Sequence, residues 1–273
     1  MARAGRVVAK LHEVLREAIR PGVSTAELDR IAEREVRSHG AVPSFKGYRG
    51  FPATLCTSLN DQIVHGIPSP DVVLRSGDLV KLDAGAILDG YHGDSAVTWV
   101  VGGEEAVTPE VRELIGRTRQ GLWAGLCAAV PGGRLSDIGA AVESWALPRG
   151  YGVVEEYVGH GIGRSLHEDP HVANFGRPGR GPKLVPGLVL AVEPMFNLGT
   201  RETRVLDDEW TVVTADGALS SHWEHTVAVT PDGPWVLTAR DDEPQWPLAE
   251  PERVPGAIRP APPGLPVDAR EVG

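Results

Sequence analysis

Residues 77–96 read GDLVKLDAGAILDGYHGDSA, which is two apolar runs joined by Asp89 and Gly90. An Asp-Gly pair between apolar runs is a strong signal for a two-residue β-hairpin turn. With that turn, the numbers of facing residues add up to 179, the sum of the two turn positions. Asp83 and Asp94 then share a face as diagonal neighbours, with Cα atoms about 7–8 Å apart. The hairpin therefore predicts two carboxylates that converge on one point.

The strand pattern recurs later in the chain in one register. A shift of 110 residues overlays GDLVKLD, residues 77–83, on GLVLAVE, residues 187–193, so that each apolar strand ends in a carboxylate. A second pair, DSAVTWVV and EHTVAVT, has the same form at a shift of 130 and aligns Asp94 with Glu224. We interpret this recurrence as two αα-then-ββ halves related by a pseudo-two-fold axis, with their sheets side by side.

Apolar residues at helical spacing predict two helices in each half. The first pair covers residues 6–20, ended by Pro21-Gly22, and a segment capped by Ser24 or Thr25 that ends at Gly40. The second pair covers residues 111–130, ended by Pro131-Gly132, and a segment that starts after Ser136 and runs to Gly150. Each half is thus a helix pair followed by a strand pair, which makes an α+β protein.

The composition is that of an acidic globular chain. Its 273 residues are 41% hydrophobic with a net charge of −10, enough for a sizeable core and opposite to the basic stripe of a DNA-binding protein. Cys56 and Cys127 do not make a disulfide framework, and no apolar run reaches the length of a membrane span. No signal peptide is recognisable at the N-terminus. We expect a cytoplasmic protein that binds neither DNA nor a membrane.

Four carboxylates and one imidazole are the candidates for a metal centre: Asp83, Asp94, His160, Glu193 and Glu224. Acidic residues in apolar strands are costly unless they are paired or metal-bound. Four converging carboxylates carry four negative charges, which two divalent cations neutralise. Oxygen-rich ligation with one imidazole and no thiolate suits Mn²⁺, Fe²⁺, Co²⁺ or Zn²⁺. Taken singly, each residue is more often a strand-end residue or a cap, and only the joint pattern favours a metal centre.

Several longer motifs resemble one family of enzymes. They are PGVSTAELD, CTSLNDQIVHGIP, GDLVKLDAG, DGYHGDSA, GHGIGRSLHEDP, VEPMFNLG and WEHTVAVT. Over about residues 3–238, the chain resembles the type I methionine aminopeptidases, whose pita-bread fold is shared with aminopeptidase P and prolidase. The resemblance implies a pita-bread fold whose antiparallel sheet encloses a dinuclear metal site, with metal-dependent removal of the initiator methionine from peptides and nascent chains. It also implies transient ribosome contact, and we expect a monomer.

The resemblance assigns a role to each candidate residue. Asp94 and Glu224 bridge the two ions, Asp83 binds one of them, and His160 with Glu193 binds the other. Glu193 also serves as general base and acid. His167 donates a hydrogen bond to the substrate carbonyl oxygen, and His65 contacts the scissile amide. The methionine pocket draws on Tyr48, Phe51, Cys56, Leu166 and Trp210, although ordinary core packing explains Leu166 nearly as well.

Three positions depart from the family pattern. Leu166 replaces an aromatic residue found in some members, His222 stands where Gln is frequent, and Phe45 where some relatives have Cys. None of the three is a proposed ligand, so they bear on pocket shape and rate. The catalytic domain is predicted over residues 1–240, with halves of about 1–105 and 106–240. Residues 241–273 contain eight prolines and little periodicity, which predicts a disordered tail.

Two alternatives stay open at the level of sequence. An Xaa-Pro aminopeptidase of the same fold uses similar ligands, but such enzymes usually carry a large extra N-terminal domain. A non-catalytic binding protein of the same fold typically loses ligands, whereas all five are present here. The nature of the metal, the tolerance for the second substrate residue and the role of the tail are not fixed by the sequence.

Overall fold

The computed structural model describes residues 1–243, which form helices and short antiparallel strands. The helices are α1 (Ala2–Ala18), α2 (Thr25–Ser38), α3 (Pro109–Ala128) and α4 (Leu135–Ala146). The strands of the first half are β1 (Val42–Pro43), β2 (Leu55–Leu59), β3 (Gln62–Val64), β4 (Leu79–Leu88) and β5 (Tyr91–Val100). Those of the second half are β6 (Gly152–Val153), β7 (Gly159–Gly161), β8 (Glu168–Val172), β9 (Val189–Val192), β10 (Met195–Asn197), β11 (Thr203–Val205), β12 (Val212–Thr214), β13 (Ser220–His222), β14 (His225–Thr230) and β15 (Gly233–Val236).

The hairpin of β4 and β5 has the register predicted from its turn. Leu88 pairs with Tyr91 and Gly85 pairs with Asp94, so that facing residue numbers add up to 179 throughout. Asp89 and Gly90 have φ angles of 53° and 76°, the left-handed pair that a type I′ turn requires. The turn therefore sets the register that places Asp83 and Asp94 on one face of the hairpin.

Matched hydrogen bonds confirm the 110-residue repeat. The amide of Gly22 donates to the carbonyl of Leu74 at 2.9 Å, and the amide of Gly132 donates to the carbonyl of Leu184 at 2.8 Å. Each of these bonds ties the loop between the two helices of one half to the segment that leads into the strand pair of that half. The two halves thus share a backbone plan in which both glycines take a positive φ.

The second strands of the two halves are not related by the 130-residue shift, and that alignment was wrong by two residues. Gly77 donates to the carbonyl of Val101 and Gly187 to that of Val229, both at 2.9 Å, which relates the returning strands by 128 residues. The error arose because only the first half has a tight turn. In the second half, β10 to β13 intervene, and the register of β14 is set by its pairing with β9.

One predicted helix boundary also needs correction. Ser136 lies inside α4 rather than before it, and the helix starts at Leu135. Its N-terminus is capped by the Asp137 carboxylate, which accepts from the Arg134 amide at 2.7 Å. The helix ends at Ala146 and a 3₁₀ turn replaces its predicted last part, because Pro148 cannot donate the next helical hydrogen bond.

The two halves join along β5 and the start of β14. The Glu224 amide donates to the Ala96 carbonyl at 2.9 Å, and the Asp94 amide donates to the Thr226 hydroxyl at 3.0 Å. Each half has its own hydrophobic core between its helices and its sheet. The seam therefore brings the acidic residues of both halves to the middle of the molecule.

The folded domain continues past Asp241, where the tail was expected to begin. The Glu243 carboxylate is fully buried, lies 3.2 Å from His225 Nε2 and is also hydrogen-bonded to Arg240. Glu243, the third residue of the predicted tail, is thus packed against the second half, whereas Asp241 and Asp242 are exposed. The remainder of the tail, from residue 244, lies outside the described residues. Among the described helices, none combines the length and apolar character of a membrane span.

Candidate metal centre

Three buried residues converge at the seam between the halves. Asp94 on β5, His160 on β7 and Glu224 just before β14 each offer a ligand atom, and these atoms lie within 4.8 Å of one another. The relative exposures of the three residues are 4%, 4% and 2%. Three donor atoms at this spacing, drawn from both halves and shielded from solvent, match the size of a metal coordination sphere.

Asp83 and Glu193 lie beside this group. Asp83 is the Cα partner of Cys56 on one side and of Ala96 on the other. Glu193 follows β9 directly, and its Oε1 lies 3.6 Å from Nε2 of His160. The hairpin register and the end of β9 thus bring the two further carboxylates to the same place.

The electrostatics of the centre demand a cation. Burial raises the pKa of each of the four carboxyls, and repulsion from neighbouring carboxylates raises the pKa further for Asp94, Glu193 and Glu224. In the described part of the chain, Asp83 Oδ1, Asp94 Oδ1 and Glu224 Oε1 are buried without a hydrogen-bond partner. Buried acceptors without donors are costly, and a divalent ion is the partner that satisfies several at once. The residues therefore fit a metal centre.

The histidine of the centre is held in the tautomer that a metal ligand needs. Nδ1 of His160 lies 2.9 Å from the carbonyl oxygen of Gly161. A carbonyl only accepts, so Nδ1 carries the proton and the lone pair of Nε2 faces Glu193. Burial also lowers the pKa of His160, which favours the neutral imidazole that binds metals.

The raised pKa values predict that stabilisation by metal grows with pH. Unfolded carboxyls titrate at about pH 4, whereas the metal-free folded protein holds their protons to higher pH. Above pH 4 the folded form therefore binds more protons than the unfolded form, and its free energy of unfolding falls as pH rises through the folded pKa values. Bound cations neutralise the ionised carboxylates and so remove this loss of stability at higher pH. We expect the gain in Tm on adding Mn²⁺ to chelated protein to increase from pH 6 to pH 8.

Differential scanning fluorimetry of chelated and Mn²⁺-loaded protein at each pH measures this gain. Other buried titrating groups such as Lys81 and His12 are common to both forms, so the difference between the two curves isolates the metal-linked groups. A gain in Tm that stays constant over this pH range would speak against charged carboxylates as the ligands.

Of the other two candidate histidines, His167 lies next to the centre and His65 lies against Trp210. The ring of His167 is 4.2 Å from that of His160, measured between centroids, and its Nδ1 is 2.8 Å from the Tyr48 hydroxyl. The ring of His65 contacts Trp210 edge-on at a centroid distance of 6.4 Å. Burial lowers the pKa of His65 to about 4 and that of His167 to about 3. Both rings are thus neutral hydrogen-bonding groups at pH 7.

The five residues predicted to form an apolar pocket belong to one hydrophobic cluster. Its members are Phe45, Phe51, Ala53, Cys56, Ile162 and Leu166, with Met1, Tyr48, Ile67, Val189 and Trp210 against them. Phe51 and Trp210 meet edge to face at a centroid distance of 5.1 Å. Because Cys56 pairs with Asp83, the cluster adjoins the metal centre directly. Leu166 is 2% exposed, which shows that it packs within this cluster, and its role in a methionine pocket stays a prediction.

Sequence reasoning missed Asn174 and Thr226 beside the centre, and it noted His222 only as a departure from the family pattern. Asn174 donates from Nδ2 to the Glu193 carbonyl at 3.1 Å, and the Thr226 hydroxyl donates to the Asp94 carbonyl at 2.8 Å. His222 is buried with both ring nitrogens lacking a hydrogen-bond partner among the described residues, and its Nε2 lies 3.9 Å from Glu193. Thr226 lies two residues after Glu224 in the motif WEHTVAVT, and this position is the sequence feature from which its role could have been predicted.

Comparison with known proteins settles the family. The model for metallopeptidase family M24 matches residues 1–231. The chain belongs to this family. Among curated members of family M24, methionine aminopeptidase 1 of Mycobacterium tuberculosis is 53% identical over 244 residues, covering 87% of this chain and 91% of that protein. The methionine aminopeptidase of Clostridium acetobutylicum is 50% identical over 238 residues, covering 87% of this chain and 94% of that one.

Solved structures of family M24 agree in fold. Methionine aminopeptidase from Rickettsia prowazekii superposes with a TM-score of 0.84 at 39% identity, covering 87% of this chain and 95% of that chain. Prolidase from Pyrococcus furiosus superposes with a TM-score of 0.70 at 23% identity, covering 88% of this chain and 63% of that one, a likeness of fold alone. The architecture is therefore the pita-bread fold, as expected from the sequence motifs.

Proposed function

We propose that this chain is a methionine aminopeptidase that removes the N-terminal methionine from peptides and nascent proteins. The observation that carries the proposal is the buried convergence of Asp94, His160 and Glu224 beside an apolar cluster. The converging ligand atoms require a cation, and the apolar cluster suits the unbranched thioether side chain of methionine. Relatives that bear the name methionine aminopeptidase are about half identical over most of the chain, which supports the same activity.

The five residues would hold two divalent ions. Asp94 and Glu224, at the seam between the halves, would contribute to both ion sites, Asp83 to one of them, and His160 with Glu193 to the other. When bound, the ions supply an activated water and polarise the scissile carbonyl. The donor set admits Co²⁺, Mn²⁺, Fe²⁺ or Zn²⁺, and availability decides among them.

The protein's own side chains carry out the proton transfers and the positioning. Glu193, whose Oε1 lies 3.6 Å from Nε2 of His160, accepts a proton from the attacking water and delivers it to the departing amine. Nδ1 of His167 lies 2.8 Å from the Tyr48 hydroxyl, which fixes the ring. In the proposed mechanism the hydroxyl is the donor of this bond, so that the proton of the neutral imidazole lies on Nε2. Nε2 then donates to the carbonyl oxygen as negative charge develops there.

The apolar cluster selects the substrate. Phe51 and Trp210 form an edge-to-face wall, and Cys56 closes the side next to Asp83. Tyr48 links this wall to His167. His65, which lies against Trp210, is the residue proposed to contact the scissile amide. A methionine side chain in the cluster thus sets its own carbonyl beside the metal centre.

A peptide panel tests the activity. Purified protein loaded with Mn²⁺ or Co²⁺ is expected to release methionine from Met-Ala-Ser and to leave an Xaa-Pro peptide intact, because the apolar cluster accepts a long flexible side chain at the first position. Free amino acids are quantified by chromatography, with chelated protein as the control. Cleavage of the Xaa-Pro peptide alone would assign the chain to the prolidase side of the family. Folded, metal-loaded protein that cleaves neither would make it a binding protein.

A further inference from the structure

A second candidate site lies in a cleft where α1, the end of β5 and α3 meet. The cleft has a volume of about 760 Å³. Its basic lining consists of Arg16, Arg20, Arg112, Arg119 and Arg240, and its acidic lining of Glu104 and Asp242. In a chain whose net charge is −10, arginines outnumber the acidic residues that line this cleft. None of the residues assigned to the metal centre or the methionine pocket lines it.

Only part of this positive charge is neutralised by the protein. Arg16 forms an ion pair with Asp242 at 3.4 Å, and both Arg119 and Arg240 form ion pairs with the buried Glu243. The Arg20 side chain has no ion pair or hydrogen bond with any residue that the structure describes. Arg112 donates to the Glu104 and Val107 carbonyls, and its nearest carboxylate is 4.0 Å away. The cleft therefore keeps guanidinium groups available for an anion.

Two tryptophans position the arginines. The guanidinium of Arg16 lies over the Trp99 ring at 5.1 Å, and those of Arg119 and Arg240 lie over Trp223 at 5.3 and 5.7 Å. Guanidinium groups held over indole rings are preorganised, so less conformational freedom is lost when their edges bind a ligand.

The same lining contains buried donors that the protein leaves unused. Trp99 Nε1, Trp223 Nε1 and Arg240 Nη1 are buried without a hydrogen-bond partner within residues 1–243. All three are donors and none can accept. Because these atoms are buried, they add positive electrostatic character beneath the arginines rather than direct contacts with a ligand.

We propose that this cleft binds a compact anion with two or more phosphate groups. Phosphate oxygens accept hydrogen bonds in several directions and match the planar fork of arginine better than a single carboxylate does. Two linked phosphates offer separate sets of acceptors to Arg20 on the α1 side and to Arg112 on the α3 side. The same chemistry is offered by inorganic pyrophosphate and by a nucleoside diphosphate.

Isothermal titration calorimetry on the full chain, with its catalytic centre saturated with metal, tests the proposal. The probes are magnesium pyrophosphate and magnesium ADP, with adenosine as the uncharged comparison. We expect saturable binding of one equivalent per chain for pyrophosphate, for ADP or for both, and none for adenosine. Binding of ADP alone would mean that the base adds contacts, and it supports the site equally.

Variants locate the binding. Arg20→Gln with Arg112→Gln should weaken binding by about tenfold or more, because each lost charge-assisted hydrogen bond costs about that factor. Arg34→Gln with Arg204→Gln, two arginines on other surfaces, is the matched control and should change affinity less than about twofold. Arg20 is exposed, so Arg20→Gln alone keeps the test valid if the double variant does not fold. Absence of binding, or binding that survives in the Arg20 and Arg112 variants, overturns the proposal.

Discussion

Replacing Glu224 by Gln is expected to lower kcat/KM for Met-Ala-Ser by about 10³-fold or more, since metal catalysis contributes several kcal/mol and each 1.4 kcal/mol is a factor of ten. Gln keeps the shape of the side chain but removes a negative charge from the centre. Because Glu224 is proposed to bridge both ions, one change weakens two sites. Metal content by elemental analysis should fall together with activity.

A separate readout distinguishes this effect from misfolding. In the metal-free state, Glu224 is one of four buried carboxyls whose pKa is raised by burial and by its acidic neighbours. Removing it relieves that repulsion, so chelated Glu224→Gln protein should have a higher Tm than chelated wild type at pH 8. Glu17→Gln on the exposed side of α1 is the matched control and should change neither activity nor Tm. A Glu224→Gln protein that binds metal and turns over normally would exclude Glu224 as a ligand.

The second large effect separates His160 from His167. His160→Asn should lose metal and activity together, because the Gly161 carbonyl fixes the His160 ring with Nε2 directed at the centre. His167→Asn should retain metal yet lower kcat by about 10²–10³-fold, the usual effect of deleting one donor to a developing oxyanion. KM should change little in His167→Asn, since the methionine pocket is intact.

Metal content and single-turnover kinetics on the two variants measure this division. His39→Asn, a histidine at the exposed end of α2, is the control for a general effect of removing an imidazole. Loss of metal in His167→Asn would make His167 a ligand and overturn the assignment. Full metal occupancy in His160→Asn would remove His160 from the centre.

The features of the fold that could be predicted are those encoded locally. The Asp89-Gly90 turn fixes the β4 and β5 register by itself, and from that register the shared face of Asp83 and Asp94 follows. The Pro-Gly helix ends recur at the same spacing because they make the same hydrogen bonds in both halves. In each case a few neighbouring residues carry the whole signal.

The features that escaped prediction depend on distant parts of the chain. The sequence near Glu224 does not show that β14 takes its register from β9. The predicted shift of 130 residues between the returning strands therefore differs by two residues from the observed shift. The burial of Glu243 depends on its contacts with His225 and Arg240. It was not predicted because the proline-rich sequence after Asp241 indicated a disordered tail. The cleft arginines are scattered over α1, α3 and the chain beyond β15, and each looks like an ordinary surface residue in the sequence.

A titration of chelated protein with Mn²⁺, followed by calorimetry and by methionine release from Met-Ala-Ser in the same samples, decides whether the buried carboxylates form a catalytic metal centre. We expect up to two equivalents of metal to bind to each chain and methionine release to appear as the sites fill. Protein that binds no metal, or protein that fills both sites and releases no methionine, would contradict a metal-dependent aminopeptidase.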